Sequence, residues 1–401
     1  MPNFKYTAKK SPTELKEGIL EASNRDAAVD LLNRQGLVPV KLELVSGDLQ
    51  RTSYSQAHSK VSLKQVIIFT GQLSRLVKTG VPILKALAII EEQTASNGLS
   101  QIIDEIIADV RSGAALSICL AKYPLVFPGL YIAIIRSGEN TGNLSLALDR
   151  VGGYLIKEHE LRKKVKFALI YPCFMLLVGL ATVVFMLVFV VPKISSMYVN
   201  LEQQLPWVTS SLLWASQLLK SYFIWFLLAC ILIVFVLRNI AKRNKILLSK
   251  VLLAIPLYNG FIVKSELARF SASLELSLKS GINILKAVDL AIPVMDNEAI
   301  KKEISSASER IRSGGAWGVD LKKSNILPKF FGNLVSVGEE SGRLDEMFAE
   351  IARYFQEDTD DALKVITSYL EPVTILIVGI VLSYVIIAML LPILQLNLFV
   401  N

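Results

Sequence analysis

Three long stretches of the chain, residues 168–191, 221–237 and 372–400, contain no charged side chain. A helix needs about 20 apolar residues, with a usable range of about 17–25, to cross the hydrocarbon layer of a bilayer. The stretches therefore predict an integral membrane protein with three spanning helices. Composition agrees, since 52% of the 401 residues are hydrophobic and the mean hydropathy is +0.48, against about 45–50% apolar residues in an ordinary soluble domain. At the N-terminus Lys5, Lys9, Lys10 and Glu14 interrupt any apolar core. No cleavable signal peptide is expected, and the N-terminus is expected in the cytoplasm.

The formal charge of +8 could point to nucleic acid, but the basic residues crowd against the apolar stretches instead. Lys157, Arg162, Lys163, Lys164 and Lys166 precede the first, and Arg238, Lys242, Arg243, Lys245 and Lys250 follow the second, whereas the segment between them carries only Lys193 and Lys220. The positive-inside rule puts both basic clusters in the cytoplasm and the 193–220 loop in the periplasm. The third span then runs outward and leaves a periplasmic C-terminal tail. No nucleic-acid partner is expected. Cys173 and Cys230 fall inside spans and Cys119 stands apart, so all three read as small apolar residues.

The chain contains an internal repeat. Phe69 and the run Lys78-Thr79-Gly80-Val81-Pro82-Ile83-Leu84-Lys85-Ala86 return 201 residues later as Phe270 and Lys279-Ser280-Gly281-Ile282-Asn283-Ile284-Leu285-Lys286-Ala287. Ser137-Gly138-Glu139-Asn140-Thr141-Gly142-Asn143-Leu144 returns 200 residues later as Val337-Gly338-Glu339-Glu340-Ser341-Gly342-Arg343-Leu344, and Pro172/Pro372 and Pro192/Pro392 keep that spacing. Each copy ends in a span. The middle span has no counterpart, and it is what lets both copies share the cytoplasmic side.

Apolar spacing within each copy is helical. Ser62 is placed to cap a helix over 63–78, Gly80 to end it and Pro82 to start the next. Further amphipathic stretches cover about 100–111, 116–121, 129–137 and 144–166, the last feeding into the first span. This gives about six short helices per copy, joined as in helical bundles. Residues 4–9, 18–22 and 38–45 read as strands around a helix over 25–35, a small α/β module. The expected fold is an all-α membrane protein with two homologous cytoplasmic helical bundles, three transmembrane helices and that N-terminal α/β module. The expected order is module 1–45, linker 46–62, bundle 63–167, span 168–192, periplasmic loop 193–220, span 221–238, bundle 239–371, span 372–395 and tail 396–401.

Reactive constellations are not found. His58 and His159 have no Cys or second His placed as a co-ligand, no G-x-x-x-x-G-K-[ST] phosphate loop occurs, and no span carries an aspartate pair. A non-enzyme without metal or cofactor is expected, drawing its energy from a partner.

The most specific remaining signal is G-E-x-[TS]-G-x-L, as Gly138, Glu139 and Gly142 and again as Gly338, Glu339 and Gly342. It reads as a tight helix connection in which Thr141 or Ser341 helps to cap the next helix, or as an exposed tip whose carboxylate meets a partner or a cation. Acidic residues Glu357, Asp358, Asp360 and Asp361 precede the third span, either as a solvated face or as a docking site for a basic partner. Glu371 adjoins Pro372, where interfacial and intramembrane functional roles both stand. The two prolines are expected to bend their helices.

With the repeat, the Gly-Glu-x-Thr/Ser-Gly motif, Tyr171-Pro172 and three spans in this order, the chain resembles the F-domain family of bacterial type II secretion and type IV pilus assembly. The resemblance implies a non-enzymatic platform in the bacterial inner membrane. Its bundles would meet a cytoplasmic ATPase and its membrane part pilins or pseudopilins and other inner-membrane components, and it would work as a homo-oligomer. Two positions depart from the pattern: Ser11-Pro12-Thr13 stands where a glycine turn is expected, and Asn283 replaces the proline seen as Pro82. A transporter or channel built from oligomers is the alternative, and a membrane peptidase lacks its aspartates.

Overall fold

A computed structural model describes residues 3–11, 14–21, 38–45, 61–193, 207–243 and 256–400, with isolated positions at 29, 31, 246, 249, 253 and 254. The helix expected over 25–35, the linker up to residue 60 and the segment 194–206 lie outside the described residues. Three antiparallel strands, β1 (Asn3–Ser11), β2 (Glu14–Glu21) and β3 (Val38–Val45), form a sheet of order β2-β1-β3. Ser11 pairs with Glu14, and Phe4 lies between Leu20 and Leu44.

The first copy comprises α1 (Leu63–Lys78), α2 (Ile83–Glu92), α3 (Asn97–Arg111), α4 (Leu116–Ala121), α5 (Gly129–Asn140) and the start of α6 (Leu144–Phe185). Ser62 caps α1 in a reciprocal box with Gln65, and Gly80 leaves it at φ +83°, a backbone region that glycine enters at little cost. After α7 (Trp207–Arg243), the second copy comprises α8 (Pro256–Lys279), α9 (Ile284–Ala291), α10 (Glu298–Arg312), α11 (Trp317–Leu321), α12 (Lys329–Ser341) and the start of α13 (Leu344–Val400). Asn283 begins α9 as its side-chain cap, accepting from the Leu285 N–H at 3.0 Å. The departure from Pro82 thus exchanges a residue preset for a helix start for one that satisfies a free amide.

The two cores are variations on one packing. Phe69, Leu120 and Phe127 occupy the first and Phe270, Leu321 and Leu327 the second, all buried. Leu120 and Leu321 stand 201 apart and Phe127 and Leu327 stand 200 apart, so the one-residue change in repeat spacing falls in the loop after the short helix. In the second copy Trp317, Phe331 and Phe348 surround Phe270, where the first has Leu116, Tyr131 and Leu148. Tyr131 is fully buried, and its hydroxyl lies 3.0 Å from that of Thr70, which donates to the Val66 carbonyl. Burial pushes the Tyr131 phenol well above its ordinary range. The equivalent pair is Ser271 and Phe331, and the Ser271 hydroxyl is buried without a hydrogen-bond partner.

Contacts divide the chain into residues 1–155 and 156–401. α6 and α13 pass without a break through Pro172 and Pro372. Each contains a stretch long and apolar enough to cross a membrane, within Leu144–Lys193 and Leu344–Leu391. α6 ends in a π-helical turn, Met186–Val190. Part of the expected 193–220 loop is helical, because α7 begins at Trp207 and only loses helical geometry at Tyr222 (φ −119°, ψ 16°). Val208 and Leu212 pack with Leu187, Val191, Val385 and Ala388.

Two hydroxyls fasten this segment. In the π turn the Val191 N–H goes to Met186, and Pro192 has no N–H to offer, so the Leu187 carbonyl is left over. Ser216 donates to it at 2.5 Å. On α13 the Ala388 carbonyl would need the N–H of residue 392, which is proline; Thr209 donates to it at 2.6 Å. Prolines at equivalent places in the repeat each free one carbonyl, and α7 supplies both donors.

Candidate functional site: the repeated turns and the acidic face

α5 and α12 end in the same way. The Asn143 N–H donates to the Gly138 carbonyl at 2.8 Å and the Arg343 N–H to the Gly338 carbonyl at 3.1 Å. Gly142 and Gly342 stand at φ +67° and +69°. This backbone closure of a helix end requires one left-handed residue, which glycine supplies. Gly138 and Gly338 serve differently. A side chain at Gly138 would collide with the Ala147 side chain, and one at Gly338 would lie 3.0 Å from Leu344 and Met347. They let each helix pass close to the start of the next.

The carboxylates cap a neighbouring helix. Glu139 accepts from the Ser117 N–H at 3.2 and 3.3 Å, in the first turn of α4. Glu339 accepts from Trp317 and Gly318 N–H, both at 2.8 Å, in the first turn of α11. The first amides of a helix lack partners within it, and a negative charge there is favoured by the helix dipole. Both carboxylates are half-buried, while Asn140, Thr141 and Gly142, and likewise Glu340, Ser341 and Gly342, are exposed. The hydroxyls do not reach forward to cap the next helix. Thr141 donates to the Ser137 carbonyl at 2.9 Å and Ser341 to the Val337 carbonyl at 2.7 Å, because closure of the helix end brings those carbonyls within reach.

The acidic face before the third apolar stretch is largely paired. Asp358 meets Lys264 at 3.0 Å, Asp360 meets Lys164 of α6 at 2.6 Å, and Asp361 meets Lys364 at 2.8 Å. The Lys364 ammonium holds the exposed Asp361 carboxyl below its ordinary range. Glu357 and Glu371 are exposed. Among the described residues no group of His, Cys, Asp and Glu could hold a metal ion.

One constellation escaped sequence reasoning. Arg269, on α8, reaches Glu266 at 2.9 Å, Asp296 at 2.7 Å and Glu158 of α6 at 3.7 Å. Glu266 also accepts from the Asp296 and Asn297 N–H at 3.0 and 3.2 Å, just before α10. Burial pushes the Glu266 carboxyl above its ordinary range, with the Arg269 charge opposing it. The first copy has Gln65 and Ile68 at these places. That replacement was the available signal.

The profile described as "Type II secretion system (T2SS), protein F" matches residues 69–192 and again 270–392, the limits of the internal repeat. That described as "Type II secretion system protein F, N-terminal domain" matches residues 1–43. The type IV pilus assembly protein PilC of Thermus thermophilus is 30% identical over 396 residues, covering 98% of this chain and 97% of that protein. The type II secretion system protein F of Xanthomonas campestris pv. campestris is 32% identical over 406 residues, covering 99% of each. The doubled bundle, its repeated turn and these matches make the chain a member of the type II secretion system protein F family.

Proposed function

We propose that this chain is a non-enzymatic inner-membrane platform for assembling pilins or pseudopilins, in a type IV pilus or a type II secretion machine. A helical bundle whose last helix continues without a break into an apolar stretch occurs twice in the chain, and this carries the reading. The names of the relatives support the same role.

In this reading the middle span over 221–238 returns the chain, so that bundles 63–167 and 239–371 and the α/β module 1–45 face the cytoplasm and the C-terminus the periplasm. A cytoplasmic ATPase drives the bundles, and the chain works as a homo-oligomer. Partner contact at the turns falls on the exposed sides of Gly142 and Gly342, with Gly138, Glu139, Gly338 and Glu339 holding the shape. Glu357 and Glu371 offer free acidic contacts, while Asp358, Asp360 and Asp361 are engaged with lysines.

Purification of the tagged chain from its native membrane in mild detergent, followed by mass spectrometry, tests this. Co-purification of a secretion-type ATPase and prepilin-like proteins is expected. An intact oligomer that repeatedly brings neither would overturn the platform role.

A further inference from the structure

The first part of α7 has one face committed to protein. Val208, Thr209, Leu212 and Ser216 are buried, and the Thr209 and Ser216 hydroxyls satisfy the carbonyls freed by Pro392 and Pro192. The Ser211 and Tyr384 hydroxyls add a contact at 2.8 Å. The opposite stripe, with the spacing of one helical face, consists of Trp207, Ser210, Trp214, Gln217, Leu218 and Ser221, all exposed. Trp207 is 78% and Trp214 67% exposed, and no charge occurs between Trp207 and Leu219.

That composition suits neither hydrocarbon, where the serines and Gln217 would be costly, nor bulk water, where two tryptophans would lie open. Tryptophan among uncharged polar groups belongs at the headgroup level, where the ring is buried and its N–H is wet. The depth agrees. Leu187 lies 19 residues beyond the start of the first stretch at 168 and Ala388 16 residues beyond the start of the third at 372, and at about 1.5 Å per residue that is roughly 24–29 Å, close to the thickness of the hydrocarbon layer. The break at Tyr222 then separates this segment from the apolar run that carries the exposed Trp225.

The geometry points to residues 207–221 as an interfacial helix, clamped by hydroxyls to the π turn that follows α6 and to α13 at Ala388, whose Trp207/Trp214 face takes the lipid headgroup layer. It fixes the depth of both repeat-derived apolar helices at once. The inference rests on the membrane reading but on nothing about pilins or an ATPase.

The full chain is reconstituted into phosphatidylcholine–phosphatidylglycerol vesicles, and its tryptophan fluorescence is compared with that of W207F/W214F. Quenchers are lipids brominated near the headgroup, lipids brominated in the upper part of the acyl chains, where Trp225 lies about one turn below the interface, and aqueous iodide. Headgroup-level bromine should quench the natural chain, and the variant should lose most of that quenching while keeping the acyl-chain quenching of Trp225. Trp317, buried in the second bundle, serves as the silent reference. Iodide reaching Trp207 and Trp214 in place of bromine would overturn the inference, and so would protection from both quenchers, which would mean a protein cover such as a second copy. Loss of acyl-chain quenching at Trp225 would instead overturn the membrane reading beneath it.

Discussion

Thr209 donates its hydroxyl to the carbonyl of Ala388, four residues before the proline that leaves that carbonyl without a helical partner. Within or near hydrocarbon, an orphaned carbonyl is expensive, because no water is present to replace the lost bond. Thr209→Val keeps the shape and removes the donor, so it should destabilise the membrane part by about 1–3 kcal/mol. Thr209→Ser should retain most of it, and Ser216→Ala should behave like Thr209→Val. Thermal denaturation in detergent checks this, and an unchanged midpoint for both donor-deleting variants would mean that the carbonyls find other partners.

Glu339 holds the start of α11 through two amides at once. Glu339→Ala should cost about 1–2 kcal/mol, the loss of a helix cap, and Glu339→Gln less, because one neutral acceptor remains. Glu139, with both oxygens on a single amide at longer distance, should cost less than Glu339. Hydrogen exchange should show amides 317–321 opening faster in Glu339→Ala. Equal exchange in variant and parent would assign the carboxylate to partner contact instead.

Gly138 and Gly142 belong to one motif but should fail for different reasons. Gly142→Ala strains a left-handed residue in open space and should cost about 1 kcal/mol, with Gly142→Asn cheaper still. Gly138→Ala has no conformational problem yet drives a methyl into Ala147, and should cost about 1–3 kcal/mol by overpacking. A second change, Ala147→Gly, should recover part of the loss in Gly138→Ala, the Asn143 carbonyl and Leu144 backbone at 3.3 Å keeping the rest, and leave Gly142→Ala unimproved. Rescue of both by Ala147→Gly would contradict the assignment.

Local chemistry made much of this fold legible. Ser62, Gly80 and the helix over 116–121 follow from capping and periodicity, which act within a few residues. The turn at Gly138–Leu144 was legible as a turn for the same reason. The role of Glu139 was not, because its amide partner lies on another helix and only packing brings them together. Arg269 draws no reading from the sequence, since nothing near it announces Glu158 or Asp296. The helical start of α7 was missed because Thr209, Ser210, Ser211 and Ser216 look like a loop; they suit a helix here because proline-freed carbonyls await the hydroxyls of Thr209 and Ser216.

The paired cores predict opposite signs at equivalent places. Tyr131→Phe removes the phenol that meets Thr70 and should cost about 1 kcal/mol. Ser271→Ala removes a buried hydroxyl with no partner, and should be neutral or stabilising. Tyr131 also carries a pH signature. Its phenol is raised in the folded chain, so its contribution is present below the ordinary phenol range near about 10 and is lost as pH rises above it, where only the unfolded chain ionises readily. Tyr131→Phe should flatten that part of the alkaline stability loss, as measured by denaturation at several pH values. An identical alkaline slope would assign the loss to other groups.

Arg269 and Glu266 should show that breaking a buried pair is worse than deleting it. Arg269→Met leaves Glu266 beside two amides but without its cation, and should cost about 3–5 kcal/mol, whereas Arg269→Met with Glu266→Gln should recover a large part. The pH dependence has a definite sign. Burial already raises the Glu266 carboxyl, with Arg269 opposing, so removing the arginine raises it further. A raised carboxyl binds its proton more tightly folded than unfolded, so stability grows as pH falls from above the raised value toward the ordinary carboxylate range. Arg269→Met should therefore regain stability on mild acidification, and the double variant should not. Trp317 fluorescence during unfolding reports on this bundle, and an acid-induced gain persisting in the double variant would mean that the proton is not taken up by Glu266.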